Sequence, residues 1–136
     1  MSTNILLVED NPSDIELVQT AFEESEIDIV FTVYRDGDEA IAGLRDLARD
    51  VSWIPEIALV DLNLPRASGH DVLATIRANP VFGNMPVLVL SSSNHPSDRL
   101  RCMAAGASEY LVKPPQFKQL LVMVDRIAKR WLRKTT

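Results

Sequence analysis

"ILLVEDN", residues 5–11, sets four consecutive apolar residues directly against two acids, Glu9 and Asp10. The run does not alternate, so it does not describe a strand with one wet face. It describes a strand buried on both faces, as in parallel sheets. The acids at its tip then need a reason, because adjacent carboxylates at the end of a buried strand repel each other and lose solvation.

Working outward, similar short runs recur at NILLVE (4–9), DIVFTV (28–33), EIALVD (56–61), MPVLVLS (85–91) and EYLV (109–112), each followed by an amphipathic segment. The first helix is predicted to begin at Asn11-Pro12, a good N-cap followed by a residue favoured at the first helical position. Ile15, Val18 and Phe22 mark its apolar stripe, with Glu16, Gln19 and Glu23 facing out. A second helix is expected from near Asp36-Gly37, carrying Ala40, Ile41, Leu44 and Leu47. A third spans about 69–79, with Val72, Leu73 and Ile76 inward and Pro80 ending it. The fourth is short, from Pro96-Ser97 to Ala105, and Gly106 stops it. The fifth follows Pro114-Pro115 and carries Phe117, Leu120, Leu121, Val124, Ile127, Ala128 and Trp131.

Strand and helix thus alternate five times, which predicts an α/β fold: a doubly wound, five-stranded parallel sheet with five helices and right-handed crossovers. The chain has 136 residues, enough for one domain with a real core, and one domain over 1–136 with no output domain is expected. A formal net charge of −5 argues mildly against nucleic acid, whose phosphates need a basic face. Cys102 stands alone, so no internal disulfide forms, and it reads as a packed side chain. No signal peptide and no apolar run of membrane-spanning length is visible, and a cytoplasmic location is expected.

In doubly wound sheets ligands bind outside the carboxyl ends of the strands. In the flavodoxin-like order 2-1-3-4-5, strands 1, 3, 4 and 5 lie side by side. Their ends would then gather Glu9 and Asp10, Asp61, Ser91 and Lys113. Two unit charges at about 4 Å repel by roughly 1–4 kcal/mol, depending on the effective dielectric. A hard divalent cation removes that cost, and Mg²⁺ suits carboxylate oxygens combined with a phosphate. Asp61 is then a candidate covalent acceptor of a phosphoryl group, shielded by the cation. Lys113 would neutralise the product and the Ser91 hydroxyl would bond a phosphoryl oxygen.

These pieces together resemble the receiver domain of two-component response regulators, over essentially the whole chain. The matching features are Glu9-Asp10, Asp61 with Pro65 four residues on and Gly69 eight on, Ser91, and AAGASEYLVKP at 104–114. Ser91 and Lys113 lie 22 positions apart, as in compact chemotaxis-type receivers. ILLVEDNPSD with LVDLNLPRASGHDVL is most similar to the stand-alone regulators associated with phytochromes. The resemblance implies that Asp61 takes phosphate from a phosphohistidine on a partner histidine kinase, or exchanges it with a phosphotransfer protein. It implies Mg²⁺ on Asp10, Asp61 and the backbone carbonyl of Asn63, with Glu9 acting directly or through water. Ser91 would move toward the phosphoryl group, Tyr110 would be the switch aromatic, and the Lys113–Pro114 bond would be cis. The family commonly has two aspartates where this chain has Glu9-Asp10, and threonine where it has Ser91, which hints at a looser switch.

Plainer readings compete at single positions. Tyr110 suits a packed core as well as a switch, and His70 and His95 read as loop or surface residues. Val122, Met123, Trp131 and Leu132 exceed what one core-facing stripe uses, which suggests a homodimer through helix 4, strand 5 and helix 5. The function expected is a phosphorylation switch. The alternatives are a receiver-like interaction module that never takes phosphate, and an aspartyl phosphatase. The phosphatase would want a second acid two residues after Asp61, where this chain has Asn63.

Overall fold

The computed structural model describes residues 2–50 and 54–132. Its elements are β1 (Thr3–Val8), α1 (Pro12–Glu23), β2 (Ile29–Tyr34), α2 (Gly37–Arg49), β3 (Ile57–Val60), α3 (Gly69–Ala78), a 3₁₀ turn (Pro80–Phe82), β4 (Val87–Ser91), α4 (Pro96–Ala104), β5 (Glu109–Val112) and α5 (Phe117–Trp131). The strands form one sheet in the order β2-β1-β3-β4-β5, and each paired neighbour runs parallel. The expected α/β architecture, strand order and helix count are those observed.

Side-chain alternation along each strand feeds two cores. Ile5 and Leu7 of β1 point to one face, where they pack with Ile15, Val18 and Phe22 of α1 and with Leu120, Val124 and Ile127 of α5. Leu6 and Val8 point to the other, against Ala40 and Leu44 of α2, Val72 and Ile76 of α3, and Cys102 of α4. Full burial of one such large side chain is worth about 1.5–3 kcal/mol. The continuous apolar runs therefore serve both faces at once, as read for β1, β3 and β4, whose residues are almost all buried. At the sheet edge β2 is a correction: its residues are only half-covered and Val30 is 45% exposed, because one long side has no neighbouring strand.

Local chemistry sets the helix starts. The Asn11 side chain accepts from the amides of Ser13 (2.9 Å) and Asp14 (3.2 Å), with Pro12 at the first helical position. Ser68 and Asp71 form a capping box at α3. Gly69 has no room for a side chain, since an added Cβ would lie 2.2 Å from the Asp61 carbonyl oxygen. Its amide donates to the Leu62 carbonyl at 3.0 Å, which draws the β3–α3 loop back beneath Asp61. Cys102 is buried as expected. No described helix is long and apolar enough to cross a membrane.

Candidate functional site

Three site residues are the first beyond their strands, or within one residue of them, and each is pinned to a neighbouring strand by its backbone. The Glu9 amide donates to the Tyr34 carbonyl (3.0 Å), that of Asp61 to Val8 (3.0 Å) and that of Lys113 to Ser91 (2.7 Å). Parallel pairing in register thus brings separate strand ends to one place. Glu9, Asp10 and Asp61 each offer one carboxylate oxygen, and these oxygens lie within 4.8 Å of one another. Glu9 and Asp61 are buried and Asp10 is exposed.

Lys113 answers this negative charge from the far strand. Its Nζ donates to Glu9 Oε1 at 2.5 Å, Asp14 Oδ2 at 3.0 Å and Asp61 Oδ2 at 3.2 Å. The backbone helps: the Asp10 amide donates to Glu9 Oε2 (3.1 Å) and the Asn63 amide to Asp61 Oδ1 (3.2 Å). Burial is the main reason the Glu9 carboxyl is pushed up to about 8, and the Asp61 carboxylate beside it adds to the rise while Lys113 opposes it. Burial alone would lower Lys113, but its hydrogen bond to Glu9 and the charges of Asp61 and Glu9 prevail and hold it above the ordinary lysine value. The donor set fits a hard divalent cation: it is all oxygen, and the exposed Asp10 leaves one side open to water.

The β4–α4 loop, next to this pocket, is held mainly by hydrogen bonds between neutral groups. Ser91 is fully buried and its Oγ accepts from the Ser93 amide at 3.1 Å. Tyr110 is 3% exposed, and its hydroxyl donates to the Ser93 carbonyl at 2.7 Å. Arg99 stacks over the Tyr110 ring with 5.3 Å to its centroid. The Ser93 hydroxyl donates to Asp98 and accepts from the His95 amide at 3.2 Å. Tyr110 therefore faces inward, packed in the core as the plainer reading expects, with its hydroxyl on the loop that carries Ser93.

The structure brings Glu9, Asp10 and Asp61 together, sets the Lys113 ammonium on Glu9 and Asp61, and places Ser91 at the end of β4 beside Lys113. Two readings change. Among the described residues no peptide bond is cis, so Lys113–Pro114 is trans, the isomer favoured for X–Pro bonds by about 0.5–1 kcal/mol. On α5, Leu132 is buried, Met123 packs on the core, and Trp131 does so while donating from its indole to Glu109 at 2.9 Å. Of the four residues read as surplus apolar surface only Val122 is open, while Phe117, read as inward, is 37% exposed. Sequence reasoning missed Asp14. An acid in the first helical turn has an ordinary role with the helix dipole, so nothing marked it as a lysine partner. His95 turns out to cap α4, its Nδ1 accepting from the Ser97 amide at 3.3 Å.

The carboxylate pocket thus lies at the carboxyl edge of a parallel sheet, with Asn63 two residues after Asp61. The family model of the response regulator receiver domain matches residues 5–125, and the chain belongs to that family. It is 38% identical to response regulator Rcp1 of Synechocystis sp. (strain ATCC 27184 / PCC 6803 / Kazusa), over 97% of this chain and 90% of that protein. The crystal structure of the phosphorylated cyanobacterial phytochrome response regulator RcpA superposes with a TM-score of 0.88 at 36% identity, covering 100% of this chain and 98% of that one. The Mn(2+)-bound form of Rcp1 gives 0.82 at 36% identity, covering 98% and 97%.

Proposed function

We propose that Asp61 is the phosphoacceptor and that the transfer requires Mg²⁺ held by Glu9, Asp10, Asp61 and the backbone carbonyl of Asn63. The donor in this reading is a phosphohistidine on a histidine kinase or phosphotransfer protein, with a phytochrome-type kinase suggested by the similarity to RcpA and Rcp1. A carboxylate oxygen of Asp61 attacks phosphorus. The new P–O bond forms as the P–N bond breaks, and the departing imidazole keeps the electron pair and takes up a proton. When bound, the cation neutralises charge between the acids and the incoming phosphoryl oxygens. Lys113, already beside Asp61, meets the product charge, and the Ser91 hydroxyl turns from the Ser93 amide to a phosphoryl oxygen. That turn disturbs the loop held by Tyr110 and biases a two-state equilibrium.

The observation that carries this reading is Asp61 itself: a buried carboxylate with one oxygen on Lys113 and an acid pair within cation-sharing distance. Incubation with acetyl phosphate and Mg²⁺, followed by intact mass, tests it. The wild type should gain a labile adduct of about 80 daltons, one phosphoryl group, and Asp61→Ala should gain none. A folded wild type that stays unmodified sinks the assignment and favours an interaction module working without phosphate.

The reading extends to pairing of two copies through α4, β5 and α5. Leu100 and Val122, each 69% exposed, and Met103 leave apolar surface on α4 and α5. Light scattering with and without beryllofluoride and Mg²⁺ checks it. An unchanged monomer mass in both conditions counts against the dimer.

A further inference from the structure

We propose that Asp14 is a positioning residue that keeps the Lys113 ammonium beside Asp61 while the other partners of that lysine are engaged by the reaction; this rests on the acceptor role of Asp61 argued above. An ammonium has three N–H donors. In the structure all three are used, on Glu9, Asp14 and Asp61. Glu9 and Asp61 belong to the oxygen trio that suits a cation, and Asp14 does not. When a cation draws Glu9 and a phosphoryl group occupies Asp61, two of the three acceptors are claimed. Asp14 is the one that stays.

Its placement is fixed locally. The Asn11 cap bonds the Asp14 amide, so the carboxylate projects from the first turn of α1 toward the end of β5. Asp14 and Lys113 line one small cleft with Val18, Leu90 and Leu120, which pack beside the pair. Without Asp14 the four-carbon stem of Lys113 regains rotamers in which the ammonium faces water rather than the acceptor.

The test uses wild type, Asp14→Ala and Asp14→Asn. Asparagine keeps an acceptor oxygen without the charge. Two readouts are taken: the rate of phosphorylation by acetyl phosphate with Mg²⁺, and the ¹H–¹⁵N signal of the Lys113 ammonium in cation-free protein. Asp14→Ala should slow phosphorylation about fivefold through lost positioning and broaden the ammonium signal. Asp14→Asn should return the rate to within about twofold of wild type and restore much of the signal. Unchanged rate and signal in both variants would leave Asp14 a helix-dipole acid and overturn the proposal. A faster reaction in both would make it a repulsive charge, which also overturns it. A wild type that accepts no phosphoryl group defeats the acceptor role of Asp61 instead, and the ammonium spectrum, which needs no phosphodonor, still judges Asp14.

Discussion

Two regions share the carboxyl edge of the sheet and hold their side chains by opposite means. Around Lys113 one ammonium is set among buried or half-buried carboxylates, and the arrangement is a balance of formal charges. Around Ser93 a tyrosine hydroxyl, two serines and backbone groups meet through short-range hydrogen bonds, with Asp98 the one charged acceptor. The first region answers to protons, cations and phosphoryl groups. The second answers to geometry. A switch needs both, because a charge event must become a shape event.

The sharpest way to break this contrast is Lys113→Met. Removing the shared counter-charge should cost about 3 kcal/mol in the cation-free protein, the low end for an uncompensated buried pair, as read by urea unfolding. Divalent cation should recover part of the loss. A cost no larger than that of a neutral hydroxyl would mean that the pocket is not charge-balanced at all.

The next largest effect is that of pH. The unfolded chain releases the Glu9 proton above the ordinary glutamate value, whereas the folded chain retains it up to about 8. The folded state therefore binds more protons between these limits, and stability falls as pH rises through them. The fall should be at most about 1.4 kcal/mol per pH unit, or roughly 2 kcal/mol between pH 5 and 7. Glu9→Gln should flatten the profile, and a flat wild-type profile would show that Lys113 keeps Glu9 ionised.

Cation binding sharpens the comparison further. Mg²⁺ at ten times its dissociation constant should stabilise the protein by about 1.4 kcal/mol, with a midpoint that tightens as pH rises because Glu9 must give up its proton. Thermal unfolding at two pH values reads both effects. The smallest change belongs to the neutral region: Tyr110→Phe removes the bond to the Ser93 carbonyl and should cost about 1 kcal/mol, with no pH or Mg²⁺ dependence of that cost. If the cost varied with cation, the two regions would already be coupled before phosphorylation.

Much of this was legible in the chain. Continuous apolar runs identified strands buried on two faces, and the acids, serine and lysine at their ends followed from where such sheets bind ligands. What escaped reading depended on context that periodicity does not carry. Val30 is exposed because β2 ends the sheet, and the run IVFTVY looks the same in the middle or at an edge. Leu132, just past the end of α5, is buried and Phe117, its first residue, is not, because helix ends meet neighbours that spacing along the helix does not describe. Asp14 and His95 hide because a first-turn acid and a loop histidine have ordinary uses. Their partners lie 99 positions away for Asp14 and two away for His95.

The backbone bonds that pin Glu9, Asp61 and Lys113 to adjacent strands carry one more consequence. The Asp61 amide bonds across the central β1–β3 pair, whereas those of Glu9 and Lys113 bond across pairs that include the edge strands β2 and β5. Release of the Asp61 amide to solvent therefore needs the middle of the sheet to part, while fraying of an edge frees the other two. Isotope exchange at Asp61 should be as slow as at Leu59, and slower than at Glu9 or Lys113.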